Sequence, residues 1–276
     1  MDTINEVRRT GEFVVTQEHR MFSEFADAVR RHRYIGLCYG PAGVGKTLSA
    51  RHYANWDLAE ELLVYWGPRD TSDAIVYSAL SQSRTVFYTP SVGSSILEFR
   101  KEVKLLRDRV DICIDQASPP TEKPRVNRSH PSCVEMLVID ETERLSNQAI
   151  EYARDLFDRT NIGLIFIGMP GIEKRLARYP QLYSRVGFAH HYRPLRGAEL
   201  AFVLQNHWRQ LGLSFNDNDF TDSQAMAAIA RVTGGNFRLL QRLFVQIERI
   251  LRINDLSMIS DDVVEAARST LVIGAT

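Results

Sequence analysis

The sequence contains little cysteine and no long apolar run. Its three cysteines, Cys38, Cys113 and Cys133, are an odd number and form no C-x-x-C pair. This usage argues against a disulfide framework or a zinc site and favours a reducing compartment. No apolar run approaches the ~20 residues of a membrane helix, and the first residues lack the pattern of a secretion signal. We therefore expect a soluble, cytoplasmic protein without a membrane partner.

The sequence also lacks an excess of charge of either sign. Its 34 Lys and Arg residues balance 34 Asp and Glu residues, so the formal net charge is zero. This balance excludes a wholly basic surface, but a local basic stripe could still bind nucleic acid. The 44% of hydrophobic residues and 25% of charged residues are typical of globular proteins. A chain of 276 residues can form one large domain, or a medium domain with a small one.

Hydrophobic patterning predicts strands that alternate with helices, followed by helices alone. The predicted strands are 34–39, 62–66, 85–89, 136–139 and 164–168. The predicted helices before, between and after these strands are 17–32, 46–56, 73–81, 94–109, 146–159 and 172–178. From residue 196 onward only helices are predicted, at 197–211, 222–233, 236–253 and 259–271. We expect a parallel α/β sheet flanked by helices in a domain of residues 1–195, and a small all-helical lid of residues 196–276.

A glycine-rich loop follows the first predicted strand. Residues 40–47 read Gly-Pro-Ala-Gly-Val-Gly-Lys-Thr and match the phosphate-binding pattern G-x-x-x-x-G-K-[ST]. Lys46 would neutralise phosphate oxygens, and the Thr47 hydroxyl would bind Mg²⁺. A chance match in a glycine turn is the alternative, but the strand before the loop and the helix after it argue against that. The predicted nucleotide contacts are Gly40, Pro41, Ala42, Gly43, Val44, Gly45, Lys46, Thr47 and Leu48.

Two acidic residues end the apolar strand 136–139. Asp140 and Glu141 follow Met-Leu-Val-Ile, at the edge where ligands bind in open parallel sheets. Asp140 would hold the Mg²⁺ shell, and Glu141 would act as the general base toward water. Many strands end in acidic residues, so this pair indicates a catalytic metal site only in combination with the phosphate loop upstream. Together the two motifs predict an ATPase with ATP and Mg²⁺ as ligands.

These motifs resemble the AAA+ ATPase superfamily over residues 13–272. Further features of the resemblance are an arginine after the fourth strand and the sequence Gly-Gly-Asn-Phe-Arg at 234–238. The resemblance implies that Arg238 is a sensor-2 residue that contacts the γ-phosphate within its own subunit. It also implies that Arg185 is an arginine finger for the neighbouring subunit's ATP, with Arg175 and Arg178 as competitors. A solvated helix arginine is the alternative for Arg238.

One position departs from the superfamily. The fourth predicted strand runs into Ile-Gly-Met-Pro at 167–170, where typical members carry a polar sensor-1 residue. Here Gly168 or Met169 occupies that place. The departure implies either slow hydrolysis or another polar side chain in this role.

Within the superfamily, the sequence resembles the transposition regulators of the TnsC, TniB and MuB kind. The resemblance lies in the compact size, the Ile-Gly-Met-Pro-Gly turn and residues 47–54 after the phosphate loop. It implies a homo-oligomer, a hexameric ring or a helical filament, that assembles with ATP on double-stranded DNA. Its partners would be a transposase and a target-selection protein, and hydrolysis would disassemble it. Similar sequences serve secretion ATPases of the ExeA kind and replication initiators, and a slowly hydrolysing nucleotide switch is a further alternative.

A basic row on the predicted helix 94–109 is consistent with DNA binding. Arg100, Lys104 and Arg107 recur at three- and four-residue spacing, and Lys101 lies beside them. We take Lys101, Lys104 and Arg107 as the candidate phosphate contacts. A solvated face balanced by neighbouring acids is an equally good interpretation. The proline-containing segment 118–133, with Lys123, Arg125 and Arg128, is a second candidate surface.

Overall fold

The computed structural model describes residues 13–117, 132–216 and 218–271, and these contain a five-stranded parallel sheet. The strands are β1 (Ile35–Tyr39), β2 (Thr85–Tyr88), β3 (Met136–Ile139), β4 (Gly163–Gly168) and β5 (Val186–His191). Their order is β2-β3-β4-β1-β5, and every pair is parallel. The carboxyl ends of the strands therefore meet at one edge, which is where the predicted motifs follow β1 and β3. The predicted α/β class is confirmed.

Helices connect the strands and continue beyond them. In the first part of the chain they are α1 (Gln17–His32), α2 (Lys46–Tyr53), α3 (Trp56–Val64), α4 (Ala74–Ser83), α5 (Ile96–Ala117), α6 (Asn147–Thr160), α7 (Ile172–Leu176) and α8 (Pro180–Tyr183). After β5 they are α9 (Gly197–Gln210), α10 (Phe220–Thr233), α11 (Phe237–Ile253) and α12 (Asp261–Ser269). Two 3₁₀ turns cover Thr71–Asp73 and Thr142–Arg144. No helix of the described residues combines the length and the apolar character that a membrane crossing requires.

The central strands are apolar because helices cover both faces of the sheet. Every residue of β3 and β4 is buried, as expected for parallel strands between two helical layers. Local signals determine where the adjoining helices begin. The Ser146 hydroxyl accepts from the Ala149 N–H at 3.2 Å and caps α6. Ser95 and Glu98 form a reciprocal capping box before α5, which is longer than predicted.

Two sequence predictions in this region were wrong or incomplete. Residues 62–66 were predicted as a strand, but they begin inside helix α3. The buried residues of α3 are Trp56, Ala59 and Leu63, whose spacing is helical, so the short apolar run is one turn of an amphipathic helix. Strand β5 was not predicted, because its sequence includes small and polar side chains, and His190 alone among its six residues is buried. Within the described part of the chain it lies at the edge of the sheet, where it pairs with β1.

The chain divides into two compact units. Of the described residues, those within 19–40 and 46–192 form the α/β unit, and those within Met1–Glu18, Pro41–Gly45 and Arg193–Thr276 form the helical unit. The predicted division after residue 195 remains a prediction. Helices α9–α12 enclose an apolar core of their own, built around residues such as Trp208, Leu240 and Phe244. Residues 118–131, including Lys123, Arg125 and Arg128, lie outside the described chain.

Candidate functional site

The ends of the glycine-rich loop belong to the α/β unit. Gly40 directly follows β1, and its N–H donates to the Gly168 carbonyl at 3.3 Å. Any side chain at this position would clash with the Tyr192 carbonyl oxygen, so glycine is required by close packing. Lys46 begins α2 and is 8% exposed, and its Nζ donates to the Gly40 carbonyl at 2.6 Å. The lysine side chain therefore folds back onto the first residue of the phosphate-binding motif.

The Thr47 hydroxyl meets the carboxylate that follows β3. Thr47 Oγ1 donates to Asp140 Oδ2 at 2.7 Å. Asp140 is 3% exposed, and burial raises the pKa of its carboxyl above the usual value, while the Thr47 hydrogen bond acts in the opposite direction. A buried carboxylate beside a hydroxyl is an oxygen-donor pair that suits Mg²⁺, and a bound cation would favour the ionised form. The sheet thus brings together two residues that the sequence assigned to the metal.

Glu141 is paired with a cation that the sequence analysis did not single out. Its backbone is left-handed, with φ 47°, and its carboxylate forms a salt bridge with Arg144 in the following 3₁₀ turn. The second arm of Arg144 donates to the Pro90 carbonyl at 3.0 Å, just after β2. The predicted general base is therefore engaged by a guanidinium in this structure. The spacing from Glu141 to Arg144 was visible in the sequence, but the turn that joins them was not.

The Glu143 carboxylate contacts the end of β4, where the sequence resemblance leads us to expect a polar sensor-1 residue. The side chain of Glu143 accepts from the Met169 N–H after β4, and a Cβ at Gly168 would lie 2.7 Å from Glu143 Oε1. The sequence departure at Gly168 and Met169 thus has a polar neighbour, supplied by the turn after β3. The neighbour is an acceptor and not a hydrogen-bond donor to phosphate.

The middle of the glycine-rich loop groups with the helical unit. Within that unit, the Arg238 N–H in the first turn of α11 donates to the Gly43 carbonyl at 3.1 Å. Asn236 caps the same helix and also reaches the loop, with Nδ2 donating to the Ala42 carbonyl at 2.7 Å. The Arg238 side chain is exposed. The predicted sensor-2 residue therefore lies in the first turn of a helix that is hydrogen-bonded to Pro41–Gly45.

The three candidate arginine fingers differ in their contacts within the chain and in their exposure to solvent. Arg175 donates to the carbonyls of Thr142 and Glu143, so it supports the turn after β3. Arg185 pairs with Asp158, with Nε 2.5 Å from Oδ1, and remains about one-third exposed. Arg178 is exposed. Arg185 would have to exchange its intramolecular partner to act on another subunit.

The candidate DNA row is only partly presented to solvent. Lys101 and Lys104 are exposed on α5. Arg107 is half-buried, and its Nε is shielded from solvent without a hydrogen-bond partner among the described residues. Arg100 stacks over the Tyr152 ring, with 4.7 Å between Cζ and the ring centroid. Val92, in the loop before α5, is 84% exposed.

Comparisons with known proteins agree with this fold and these motifs. A family model described as AAA domain matches residues 29–176. A Staphylococcus aureus protein called "Potential ATP-binding protein" is 41% identical over 271 residues, which are 95% of this chain and 97% of that protein. The chain belongs to the AAA domain family.

Solved structures show the same fold at low sequence identity. The Thermotoga maritima RuvB Holliday junction branch migration motor superposes with a TM-score of 0.56 at 18% identity, over 92% of this chain and 68% of that chain. The Aeropyrum pernix ORC2 protein in its ADP form superposes with a TM-score of 0.58 at 13% identity, over 95% of this chain and 71% of that chain. Identities this low establish the fold alone.

Proposed function

We propose that this protein is an AAA ATPase that binds ATP with Mg²⁺ at residues 40–48 and hydrolyses it. The observation that carries this proposal is the 2.7 Å contact between Thr47 and Asp140, which unites the metal ligands expected from two separate motifs. Lys46, which is buried with its Nζ on the Gly40 carbonyl, also supports phosphate binding by this motif. The name of the Staphylococcus relative, and the ADPNP-ADP complexes formed by the Aeropyrum ORC2 protein, are consistent with a nucleotide ligand.

Hydrolysis would proceed by attack of water on the γ-phosphorus. Glu141 would accept a proton from that water as the new P–O bond forms and the bond to the β–γ bridging oxygen breaks, which yields ADP and phosphate. Asp140 and Thr47 would hold Mg²⁺, which supplies charge neutralisation on the phosphate oxygens when bound. In this structure Arg144 contacts one oxygen of the Glu141 carboxylate, so the salt bridge would compete with the attacking water for this group. We therefore propose slow basal turnover.

Two arginines complete the proposed site. Arg238 would contact the γ-phosphate in its own subunit, because its helix begins at the phosphate loop. Arg185 would act across a subunit interface and stabilise transition-state charge there. The exposed Arg178 is the competing candidate.

At the level of biology, we propose a regulator of DNA transposition. In this proposal ATP drives assembly of a ring or filament on double-stranded DNA, the assembly recruits or activates a transposase, and hydrolysis disassembles it. The support is the sequence resemblance to the TnsC, TniB and MuB regulators together with the exposed Lys101 and Lys104. Sequence-independent binding would follow from repeated phosphate contacts by these lysines in each subunit.

The first experiment compares nucleotide states. We expect the native protein to form oligomers on linear double-stranded DNA with ATP, and to form few or none with ADP or without nucleotide. Negative-stain electron microscopy and sedimentation on two DNA fragments of unrelated sequence would measure this. DNA binding that is absent in all three states would contradict the transposition proposal, while measured ATP hydrolysis would still support the ATPase.

The second experiment tests the basic surface. We expect Lys101→Ala with Lys104→Ala to weaken DNA binding and to reduce the slope of affinity against salt by about 0.9 for each DNA phosphate that is no longer neutralised. ATP affinity should not change, because both side chains are exposed on α5 outside the phosphate loop. Arg249→Ala with Arg252→Ala, on the exposed side of α11, removes the same charge and is the matched control. If the slope of DNA affinity against salt is the same for the two double variants, Lys101 and Lys104 of α5 do not contact DNA.

A slowly hydrolysing nucleotide switch is the second candidate function. The observation that favours it is the salt bridge between Glu141 and Arg144, together with the Glu143 carboxylate at the end of β4. Phosphate release that takes hours, and that DNA does not accelerate, would favour this candidate over the transposition regulator.

A further inference from the structure

Asn236 forms hydrogen bonds with both its own helix and the phosphate loop. Its Oδ1 accepts from the Arg238 and Leu239 N–H groups at 3.1 and 3.2 Å and caps α11. Its Nδ2 donates to the Ala42 carbonyl at 2.7 Å. Asn is among the preferred capping residues, but a cap requires only the oxygen. The amide nitrogen therefore makes a contact that capping does not explain.

The next peptide of the loop is held in the same way. The Arg238 N–H also donates to the Gly43 carbonyl at 3.1 Å, so the first turn of α11 engages two successive carbonyls. Gly43 has φ +77°, and an ideal Cβ there would lie 2.5 Å from Asn236 Oδ1 and 2.9 Å from the Arg238 Cβ. This glycine is thus required both by its backbone conformation and by the approach of the helix.

The direction of these carbonyls determines the direction of the neighbouring amides. In a planar trans peptide the C=O and the following N–H point in opposite directions, and the described backbone contains no cis peptide. When Ala42 and Gly43 turn their carbonyls toward α11, the N–H groups of Gly43 and Val44 must turn away from it. Backbone N–H groups of such a loop are the donors that hold phosphate oxygens.

We propose that Asn236 is a positioning residue for phosphate binding, which orients the Gly43 and Val44 amides through the Ala42 carbonyl and makes nucleotide affinity depend on α11. The proposal rests on the proposed binding of nucleotide by this loop. It adds a residue that never touches the nucleotide, and a ligand class, the diphosphate group, as the part of the nucleotide that Asn236 affects.

The test is Asn236→Ser, which keeps a capping oxygen but cannot bridge to Ala42. We expect the Kd for ADP to rise by about three- to tenfold, the effect of removing one hydrogen bond. The inhibition constant of inorganic pyrophosphate, measured by its competition with ADP, should rise by the same factor. Thermal unfolding should change little, because Ser caps a helix about as well as Asn. Asn236→Asp keeps the shape of the side chain but replaces the donor with an acceptor. This variant should lower the affinity for ADP and for pyrophosphate further.

The matched control is Ser260→Ala in the same helical unit. The Ser260 hydroxyl caps α12 by accepting from the Val263 N–H, and among the described residues it forms no hydrogen bond with the phosphate loop. We expect this variant to lower the unfolding temperature and to leave ADP and pyrophosphate binding unchanged. If Asn236→Ser binds both ligands as tightly as the native protein, or if Ser260→Ala weakens them equally, the positioning role is overturned. If the native protein itself binds neither ligand, the proposed nucleotide function fails as well.

Discussion

Lys46→Ala is expected to lower ATP and ADP affinity by about ten- to a hundredfold, the effect of removing a charge-assisted hydrogen bond to a phosphate. The side chain is 8% exposed, and its Nζ donates a hydrogen bond to the Gly40 carbonyl. Alanine removes the charge that offsets the phosphate oxygens without changing α2, since alanine is the best helix former. Titration with a fluorescent ADP analogue would measure the decrease in affinity.

Two variants make this result specific. Lys174→Ala removes an exposed lysine from α7 and should bind nucleotide like the native protein. Lys46→Arg keeps the charge but replaces a compact ammonium with a larger planar group, so we expect a smaller decrease in affinity. Native affinity in Lys46→Ala would mean that residues 40–47 do not bind nucleotide, and the ATPase proposal would then fail.

Glu141→Gln is expected to retain ATP binding and to slow hydrolysis by about 10²- to 10⁴-fold, the usual contribution of a general base. Glutamine has the same shape, but it cannot accept the proton of the attacking water. If hydrolysis disassembles the oligomer, this variant should accumulate on DNA with ATP as long assemblies that persist. Single-turnover phosphate release and electron microscopy would measure the two effects separately.

Glu248→Gln is the control, because it changes an exposed glutamate of α11 in the same way. It should hydrolyse ATP and dissociate like the native protein. Unchanged phosphate release in Glu141→Gln would transfer the general-base role to another group. If Glu141→Gln releases phosphate slowly but forms no DNA-bound assemblies, the ATPase proposal stands and the transposition proposal is contradicted.

Short-range patterns were sufficient to predict much of this fold. The apolar runs that form β1, β3 and β4 are continuous because both faces of the sheet are covered. In the segments after residue 196, apolar residues recur at helical spacing, which predicted the helices there. The glycine-rich loop can be recognised in the sequence because phosphate binding requires particular residue types at a fixed spacing. Where the signal was weak, at residues 62–66 and at β5, the prediction failed because a short apolar run fits a helix turn, and an edge strand need not be apolar.

The sequence by itself determined the AAA fold class, the phosphate loop and the two acids after β3, because each is encoded by neighbouring residues. Only the tertiary structure decided which side chains these features meet. The contact of Thr47 with Asp140, the pairing of Glu141 with Arg144 and the reach of Asn236 to Ala42 all depend on the path of the chain between them. Such contacts leave little local trace, since one polar residue on a turn or helix cap is compatible with many partners until packing selects one.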